Sequence, residues 1–465
     1  MNNDWTIKKL FEEICRIEVE YKLFEKEING VHFWKLIRFP LFIELTKKLN
    51  LYQEAHPLPP QSGNRYIRIL KRLIRGTSSS LMVGSQDSKI ILFPSGRKVI
   101  SDSRLIDIYS YHLEDKWQEN GINYLAIEEP YNGKFMRKVS KIVRHDEPLT
   151  FFSLWNYFKL KKDINMDFKT IEIDSIANIP IDKIKTLSKE YISNEINNFI
   201  RKYYYYNKIF SKYSPEKLYI VNAYSRNALL SAANDLEIET IEIQHGTISS
   251  FHIGYSYPPE VKVPYLPSKM ELWGKFWYDI SQLPIKKKNI SYNGFPFLHE
   301  EIEKYSDIAR DETRVLFVSQ GTIGKSLVNM ALEFANKYKE YKVVYRLHPS
   351  EVDEWKSLYP ELYSFSMENS NMVIETGIVT PLYKSFAESK FVVGVYSTAL
   401  IESLAANCKL ILIDLPGVEY FQDLIDKNLV KKVKSVDQLK RALKENDEST
   451  IIDNHYFFTK HREAN

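Results

Sequence analysis

Two patterns of hydrophobic residues divide the chain into a helical beginning and a longer part of alternating strands and helices. Between residues 10 and 24 the apolar side chains recur at three- and four-residue steps, which predicts an amphipathic helix that ends at Asn29-Gly30. A second apolar-rich stretch covers 31–45, and Pro40 within it is expected to kink or end the helix. The beginning of the chain is therefore predicted to be a helical extension.

From residue 89 onward, short and continuous apolar runs alternate with helical segments. The candidate strands are 89–95, 123–129, 217–225, 240–246 and 270–274 in a first block, and 314–322, 341–349, 371–376, 390–397 and 409–417 in a second. The helices between the strands of the second block are predicted at 325–340, 380–389, 398–407, 418–428 and 436–445. Strands that are apolar throughout are expected in parallel sheets covered by helices on both faces. The pattern predicts an α/β fold with two doubly wound, Rossmann-like domains facing a cleft.

This alternation gives three predicted parts. They are an N-terminal helical extension (1–80), an N-terminal Rossmann-like domain (81–300) and a C-terminal Rossmann-like domain (301–465). The stretch 150–215 is rich in Tyr and Lys and is predicted to be a helical insertion in the first domain. Ligands of such folds bind at the carboxyl ends of the strands, so the candidate chemistry is sought there.

Composition excludes several classes of protein. The 465 residues include 64 Lys and Arg against 60 Asp and Glu, and a net charge of +4 is too small for a dedicated nucleic-acid binder. The two cysteines, Cys15 and Cys408, exclude a disulfide framework. The sequence contains neither an apolar run of about 18 residues nor a signal-peptide core, and we expect a cytoplasmic protein.

The segment 65–75, RYIRILKRLIR, alternates basic and apolar residues. Such a helix could attract anionic lipid headgroups, at roughly 1 kcal/mol per basic residue near the surface. It could equally pack on its own domain with a solvated basic face. Peripheral contact with the inner face of the plasma membrane is one of these two open interpretations.

Three motifs in the second block could bind a phosphate. Arg346 and His348, in YRLHPSE, follow a strand and could neutralise its charge, although a capped turn with a structural histidine gives the same pattern. Ser397 and Thr398 open a helix whose first N–H groups form an anion site, although simple N-capping is common at such positions. Glu402, one turn later, could bind the hydroxyls of a ribose.

The third motif, VSQGTIGKS at 318–326, is a glycine-containing turn between a strand and a helix. Gly321 and Thr322 would let the backbone approach a phosphate. The glycine spacing differs from that of a Walker motif, which disfavours a P-loop NTPase.

His245 stands in the first block between a strand end and Gly246, in IEIQHGT. A histidine placed at such a strand end can act as a general base near neutral pH, although a lone histidine is more often structural. We expect Gln244, Thr247 and Arg226 on the acceptor side of the same site, where the group that His245 deprotonates would bind.

The sequence has none of the Asp-x-Asp, His-x-x-x-His or Cys-x-x-Cys spacings of common metal sites. We therefore expect no metal and no cofactor. In the absence of a metal ion, protein cations and helix dipoles would hold a phosphate group at the site.

Taken in order, these motifs resemble the GT-B glycosyltransferases. More narrowly, the chain is similar to bacterial transferases of surface polysaccharide synthesis: polysialyltransferases, capsule Kdo transferases and the polyglycerol-phosphate polymerases of teichoic acid synthesis. The resemblance rests on QHGT at 244–247, RLHP at 346–349 and YSTALIES at 396–403, and covers roughly 215–420.

The resemblance implies a role for each motif. It implies that His245 is the base, as in the His-Gly-Thr motif of the teichoic-acid polymerases. It implies that His348, Ser397 and Thr398 hold the donor phosphate and that Glu402 binds ribose. Sialyltransferases of this type use an acidic base, and the matching position here is Asp102.

The expected function is that of a metal-independent glycosyltransferase, which moves a sugar from a CMP- or UDP-linked donor to a growing bacterial surface glycan. That acceptor glycan, free or lipid-linked, would belong to a capsule, an O-antigen or a lipooligosaccharide. One alternative is transfer of glycerol or ribitol phosphate from a CDP-polyol. A second is a non-catalytic, nucleotide-binding component of a capsule assembly complex.

Overall fold

A computed structural model describes most of the chain. The described residues are 5–51, 88–96, 98–101, 103–131, 134–146, 173–321, 323–377, 379–445 and 453–460. The basic segment 65–75, Asp102 and Thr322 lie outside them.

The chain begins with a helical hairpin of α1 (Ile7–Glu20) and α2 (Phe33–Lys48). The expectation that Pro40 kinks or ends the second helix is wrong in one respect, because α2 continues through it to Lys48. Proline removes one backbone hydrogen bond from a helix interior. Ile37 and Leu41, on either side of Pro40, are fully buried in the core of the hairpin, and their burial favours continuation of the helix.

The first α/β domain is built on a seven-stranded, all-parallel sheet. Its chain segment contains β1 (Ile90–Phe93), β2 (Val99–Ser101), β3 (Arg104–Ile106), α3 (Tyr111–Glu119), β4 (Tyr124–Glu128), β5 (Val143–His145), β6 (Ser175–Ile176), β7 (Ile179–Pro180), α4 (Lys189–Tyr213), β8 (Lys217–Val221), α5 (Asn227–Asp235), β9 (Glu239–Ile243), β10 (Lys269–Leu272), α6 (Lys275–Ile280), β11 (Ile290–Tyr292) and α7 (Pro296–Glu303). The sheet order is β11-β10-β9-β8-β1-β4-β5. The order reverses between β1 and β8, so the crevice of this sheet opens at their carboxyl ends.

Two predictions for this domain need correction. The short edge strands β5 and β11 escaped the sequence analysis, because three-residue strands leave little hydrophobic pattern. The described part of the predicted helical insertion begins at 173 with the antiparallel pair β6–β7 and two short 3₁₀ turns, and only α4 is a long helix.

The second α/β domain has a six-stranded, all-parallel sheet. Its elements are β12 (Asp311–Val318), α8 (Gly324–Lys337), β13 (Lys342–Arg346), α9 (Trp355–Leu358), α10 (Pro360–Glu368), β14 (Met372–Glu375), α11 (Leu382–Glu388), β15 (Ser389–Gly394), α12 (Thr398–Ala405), β16 (Lys409–Ile413), α13 (Gln422–Asp426), β17 (Lys431–Val433), α14 (Val436–Lys444) and α15 (Asn454–Phe457). The order β14-β13-β12-β15-β16-β17 is the 3-2-1-4-5-6 arrangement of Rossmann-like sheets, whose crevice lies between β12 and β15. The predicted α/β class, with two parallel sheets and N-terminal helices, is thus confirmed.

The C-terminal segment packs back onto the first domain. The indole N–H of Trp277 donates to the carbonyl of Phe457 at 2.8 Å, and the N–H of Thr459 donates to the carbonyl of Trp273 at 2.8 Å. A Cβ on Gly274 would lie only 2.5 Å from the Phe457 carbonyl oxygen, so this approach requires glycine. The C-terminal segment therefore ties the two domains together at the residues that follow β10. Within the described residues, every helix is too short or too polar to cross a bilayer.

Candidate functional site

The carboxyl ends of the two sheets meet at a turn of one domain and a helix start of the other. A Cβ built on Gly246, after β9, would lie 3.8 Å from Oγ1 of Thr398, the first residue of α12. Ser250, four residues after Gly246, donates a hydrogen bond to Asp423 of α13. His245 and the Ser397–Thr398 pair, which lie about 150 positions apart in the sequence, therefore belong to one cleft.

Gln244 fixes the turn that carries His245. Its amide oxygen accepts the N–H of Trp273 at 2.8 Å, and its amide nitrogen donates to the carbonyl of Gly246 at 2.8 Å. The side chain is fully buried. We had expected it to face an acceptor, and the structure places it beneath the turn with both ends of its amide engaged by the backbone.

His245 is linked through Tyr255 to a buried carboxylate. The Tyr255 hydroxyl donates to Oε1 of Glu242 at 2.8 Å, and its oxygen lies 3.3 Å from Nδ1 of His245. Because the single hydroxyl hydrogen is committed to Glu242, the tyrosine oxygen can only accept from Nδ1–H. This arrangement favours the tautomer that leaves the lone pair on Nε2, as a general base requires.

Burial shapes the protonation of this group of residues. Desolvation, with the nearby charge of Arg226, lowers the pKa of His245 to about 4, so its imidazole is neutral at pH 7. Desolvation raises the pKa of Glu242 to about 7, against the opposing effects of the Ala223 N–H and the Tyr255 hydroxyl. Glu242 and Tyr255 were missed in the sequence because a glutamate within an apolar strand gives no motif.

Arg226 and Thr247 flank the same turn. The Arg226 guanidinium pairs with Oε1 of Glu129 at 3.0 Å and lies 5.6 Å from the centre of the Phe93 ring. Its side chain is only 10% exposed, so its charge acts on the site mainly at a distance. Thr247 is half-buried directly after the His-Gly pair.

On the opposite side of the cleft, Ser397 is the N-cap residue of α12, but its side chain does not cap that helix. Other N-cap residues of this chain do, such as Ser435, whose hydroxyl accepts the N–H of Gln438. A helix start that lacks a side-chain cap is a suitable anion site. Ser397 and Thr398 are both half-buried at the crevice between β12 and β15.

His348 lies at the same edge of the sheet, next to Gly321. Its Nδ1 accepts the backbone N–H of Ser350 at 3.2 Å, so the neutral ring carries its proton on Nε2. A Cβ on Gly321 would lie 3.0 Å from Oγ of Ser350 and 3.8 Å from that Nδ1. The buried carboxylate of Glu351, another residue that the sequence did not reveal, accepts the His348 N–H at 2.7 Å and holds the turn.

Arg346 is committed to its own domain. One guanidinium nitrogen donates to Oε2 of Glu375 at 3.0 Å, to the carbonyl of Thr380 at 3.0 Å and to Oγ of Ser385 at 3.1 Å. Its side chain is 12% exposed. We had expected Arg346 to neutralise a phosphate; here its charge is met by Glu375, and it braces the loop after β14.

Glu402 accepts the Tyr383 hydroxyl at 2.8 Å and is 8% exposed. Its predicted contact with ribose would have to share the carboxylate with that tyrosine. Gln320, which precedes Gly321 at the crevice, was not singled out in the sequence. Its Oε1 is buried without a hydrogen-bond partner among the described residues, so it offers an acceptor to a ligand at the crevice.

The described residues contain no group of three or more His, Cys, Asp or Glu side chains that could hold a metal ion. Asp102, the other candidate base, and Thr322, the other residue of the glycine turn, cannot be placed because they lie outside the described residues.

The solved structures compared with this chain below have low sequence identity to it. No protein-family model matches it, and no curated protein sequence matches it. The UDP-GlcNAc 2-epimerase of Neisseria meningitidis bound to UDP-GlcNAc has 13% identity and a TM-score of 0.49, over 80% of this chain and 96% of that one. The wall teichoic acid polymerase TagF, in a variant soaked with CDPG, has 12% identity and a TM-score of 0.41, over 88% and 89%. MurG of Acinetobacter baumannii has 10% identity and a TM-score of 0.43, over 77% and 91%. At these identities and TM-scores, the substrates of those proteins carry no weight for this chain.

Proposed function

We propose that this chain is a glycosyltransferase that moves a sugar from a CMP- or UDP-linked donor to a hydroxyl group of a growing bacterial surface glycan. The observation that carries the proposal is the approach of the His245–Gly246 turn to Thr398 across the cleft. One side of the cleft holds a neutral histidine oriented as a base, and the other holds a helix start suited to an anion.

In the proposed reaction, Nε2 of His245 takes the proton of the acceptor hydroxyl. The acceptor oxygen forms a bond to the anomeric carbon, and the bond from that carbon to the donor phosphate breaks. The electron pair leaves with the nucleotide, whose charge is met by the N–H groups at the start of α12 and by Nε2–H of His348. This scheme assigns the charge of the leaving group to protein donors and requires no metal ion.

The low pKa of His245 suits a base that becomes strong only when the donor is bound. A donor phosphate at Thr398 would place negative charge near the imidazole, which raises the histidine pKa from about 4 toward neutrality. Without a donor the imidazole stays a weak base. The proposal therefore links base strength to occupancy of the opposite domain.

The experiment is a screen with the purified full chain against CMP-, UDP- and GDP-sugars and CDP-glycerol, with release of the nucleotide and thermal stability as readouts. A nucleotide at a hundredfold excess over its Kd stabilises by about 2.7 kcal/mol. His245→Gln serves as the test variant. His455→Gln, at an exposed position on α15, serves as the matched control.

We expect one CMP- or UDP-sugar to be turned over by the wild type and by the control, but not by His245→Gln. Turnover of CDP-glycerol alone would replace sugar transfer by polyol-phosphate transfer. If no donor were turned over and none stabilised the protein, the proposal would be contradicted and a non-catalytic role favoured.

A cytoplasmic location and a membrane contact through 65–75 remain predictions. Binding of the full chain to vesicles with and without anionic lipid tests that contact.

A further inference from the structure

The N-terminal hairpin directs two buried cations at the segment that carries Tyr255. Lys35 and Arg38 lie three residues apart on α2, which places them on one face of the helix. Both side chains are buried. Buried cations are costly unless they are paired, so their partners indicate what the hairpin holds in place.

Arg38 hydrogen-bonds to the backbone on both sides of Tyr255. Its guanidinium donates to the carbonyl of Ile253, and to the carbonyl of Ser256 at 3.0 Å. Its charge is balanced by Glu18 of α1, which is fully buried and accepts from Nε at 2.5 Å. The position of Tyr255 is therefore set by a helix that lies outside both parallel sheets.

Lys35 reaches the other end of the same network. Its ammonium group donates to the Tyr257 hydroxyl, which in turn donates to the carbonyl of Gly254 at 3.0 Å. Lys35, Glu242 and Tyr255 also line one small cavity of about 20 Å³, enough for a single water molecule. Lys35 therefore holds Tyr257 and, through it, the backbone next to Tyr255.

We propose that Lys35 and Arg38 are positioning residues for His245: Arg38 fixes the backbone around Tyr255, and Lys35 holds the same segment through Tyr257, so that Tyr255 donates to Glu242 and accepts from Nδ1–H of His245. The inference rests on the proposed role of His245 as a base. It adds that the N-terminal hairpin supports catalysis by positioning residues of the site.

The physical reason lies in the single hydrogen of the tyrosine hydroxyl. While Tyr255 is held against Glu242, that hydrogen stays on the carboxyl side, and Nδ1 of His245 must donate. When Tyr255 is displaced from Glu242, the hydroxyl hydrogen can turn toward Nδ1, which favours the opposite tautomer. The groups that act on Glu242 are Lys35, Arg226, the Ala223 N–H and the hydroxyl of Tyr255, and of the two cations only Lys35 comes from the hairpin.

The test measures the tautomer of His245 directly and needs no substrate. The full chain is labelled with ¹⁵N-histidine, the His245 signals are assigned by their loss in His245→Gln, and the ratio of the two tautomers is read at pH 8. Lys35→Met is the main variant and Lys35→Arg its conservative rescue. Lys48→Met, at a partly exposed position on the same helix, is the matched control, and Tyr255→Phe is the reference for a broken network.

We expect the Nδ1–H tautomer to dominate in the wild type, in Lys35→Arg and in Lys48→Met. In Lys35→Met the ratio should fall about tenfold, toward that of Tyr255→Phe, because a charge-assisted interaction has been lost. A folded Lys35→Met protein with the wild-type ratio would overturn the inference. Arg38→Met should show the same change if it folds; if its hairpin is lost, Lys35→Met decides alone.

The outcome separates this inference from the proposed function. A tautomer change in Lys35→Met with no turnover by the wild type would support the positioning role and contradict the transferase. With an active donor in hand, Lys35→Met should lower kcat about tenfold with the donor KM within twofold, which a loss of donor binding would not produce.

Discussion

Gly246 and Thr398 face each other across the cleft, and a Cβ on the glycine would lie 3.8 Å from the threonine Oγ1. This distance is ordinary van der Waals contact, so a methyl group fits there. A longer side chain would enter the space that the proposal gives to the donor phosphate. The pair therefore offers a steric test of the site.

We predict that Gly246→Ala leaves folding intact and lowers nucleotide affinity at most severalfold, whereas Gly246→Leu abolishes nucleotide binding. Calorimetric titration with the nucleotide found in the donor screen, together with a thermal melt, checks both variants. If a folded Gly246→Leu protein bound the nucleotide with wild-type affinity, the donor phosphate would have to lie elsewhere.

Two serine N-caps distinguish a binding role from a capping role. Ser435 caps α14 through its hydroxyl, so Ser435→Ala should cost about 1 kcal/mol of unfolding free energy and leave nucleotide affinity unchanged. Ser397 makes no such bond to α12, so Ser397→Ala should cost less than about 0.5 kcal/mol and weaken nucleotide binding. Urea unfolding and nucleotide titration of both variants check this; the reverse pattern would make Ser397 a structural cap.

Acid should destabilise the protein through its buried histidines. Burial lowers the pKa of both His245 and His252 to about 4, against about 6.5 in an unfolded chain. The unfolded state then binds more protons between pH 6.5 and 4, so this contribution to stability is full above pH 6.5 and is lost as the pH falls toward 4. Glu242 acts in the opposite sense, because its pKa of about 7 makes its contribution decline from pH 4.5 to 7.

We expect the loss of unfolding free energy between pH 6.5 and 4 to be smaller in His252→Gln than in the wild type, by on the order of 2 kcal/mol. Urea unfolding at several pH values measures it, and His455→Gln is the control at an exposed position. If the unfolding free energy fell equally with pH in the wild type and in His252→Gln, burial would not lower the pKa of His252, which would contradict the prediction.

Removal of metal ions should not affect turnover. The proposed reaction meets the charge of the leaving group with His348 and the N–H groups of α12. We predict that excess EDTA leaves kcat and the donor KM within twofold of the untreated enzyme, once the active donor is known. A loss restored by Mg²⁺ or Mn²⁺ would contradict the assignment of that charge to protein donors.

The sequence predicted the elements more reliably than the contacts between side chains. Continuous apolar runs such as 390–397 and 409–417 correctly marked β15 and β16, because buried parallel strands need them. The partner of Arg346 could not be predicted, because Glu375 lies on a neighbouring strand. The local pattern of apolar residues does not determine the order of strands in a sheet. The link from Glu242 to His245 could not be predicted either, because Tyr255 contacts both from a loop ten residues after His245, where no local pattern marks it.

The most direct test of the central claim compares binding and catalysis in His245→Gln. With the active donor, we predict that kcat falls at least about 100-fold while the nucleotide Kd stays within twofold, because His245 acts on the acceptor proton and not on the donor phosphate. A His245→Gln enzyme that folds, binds the nucleotide and keeps the wild-type kcat would contradict the account.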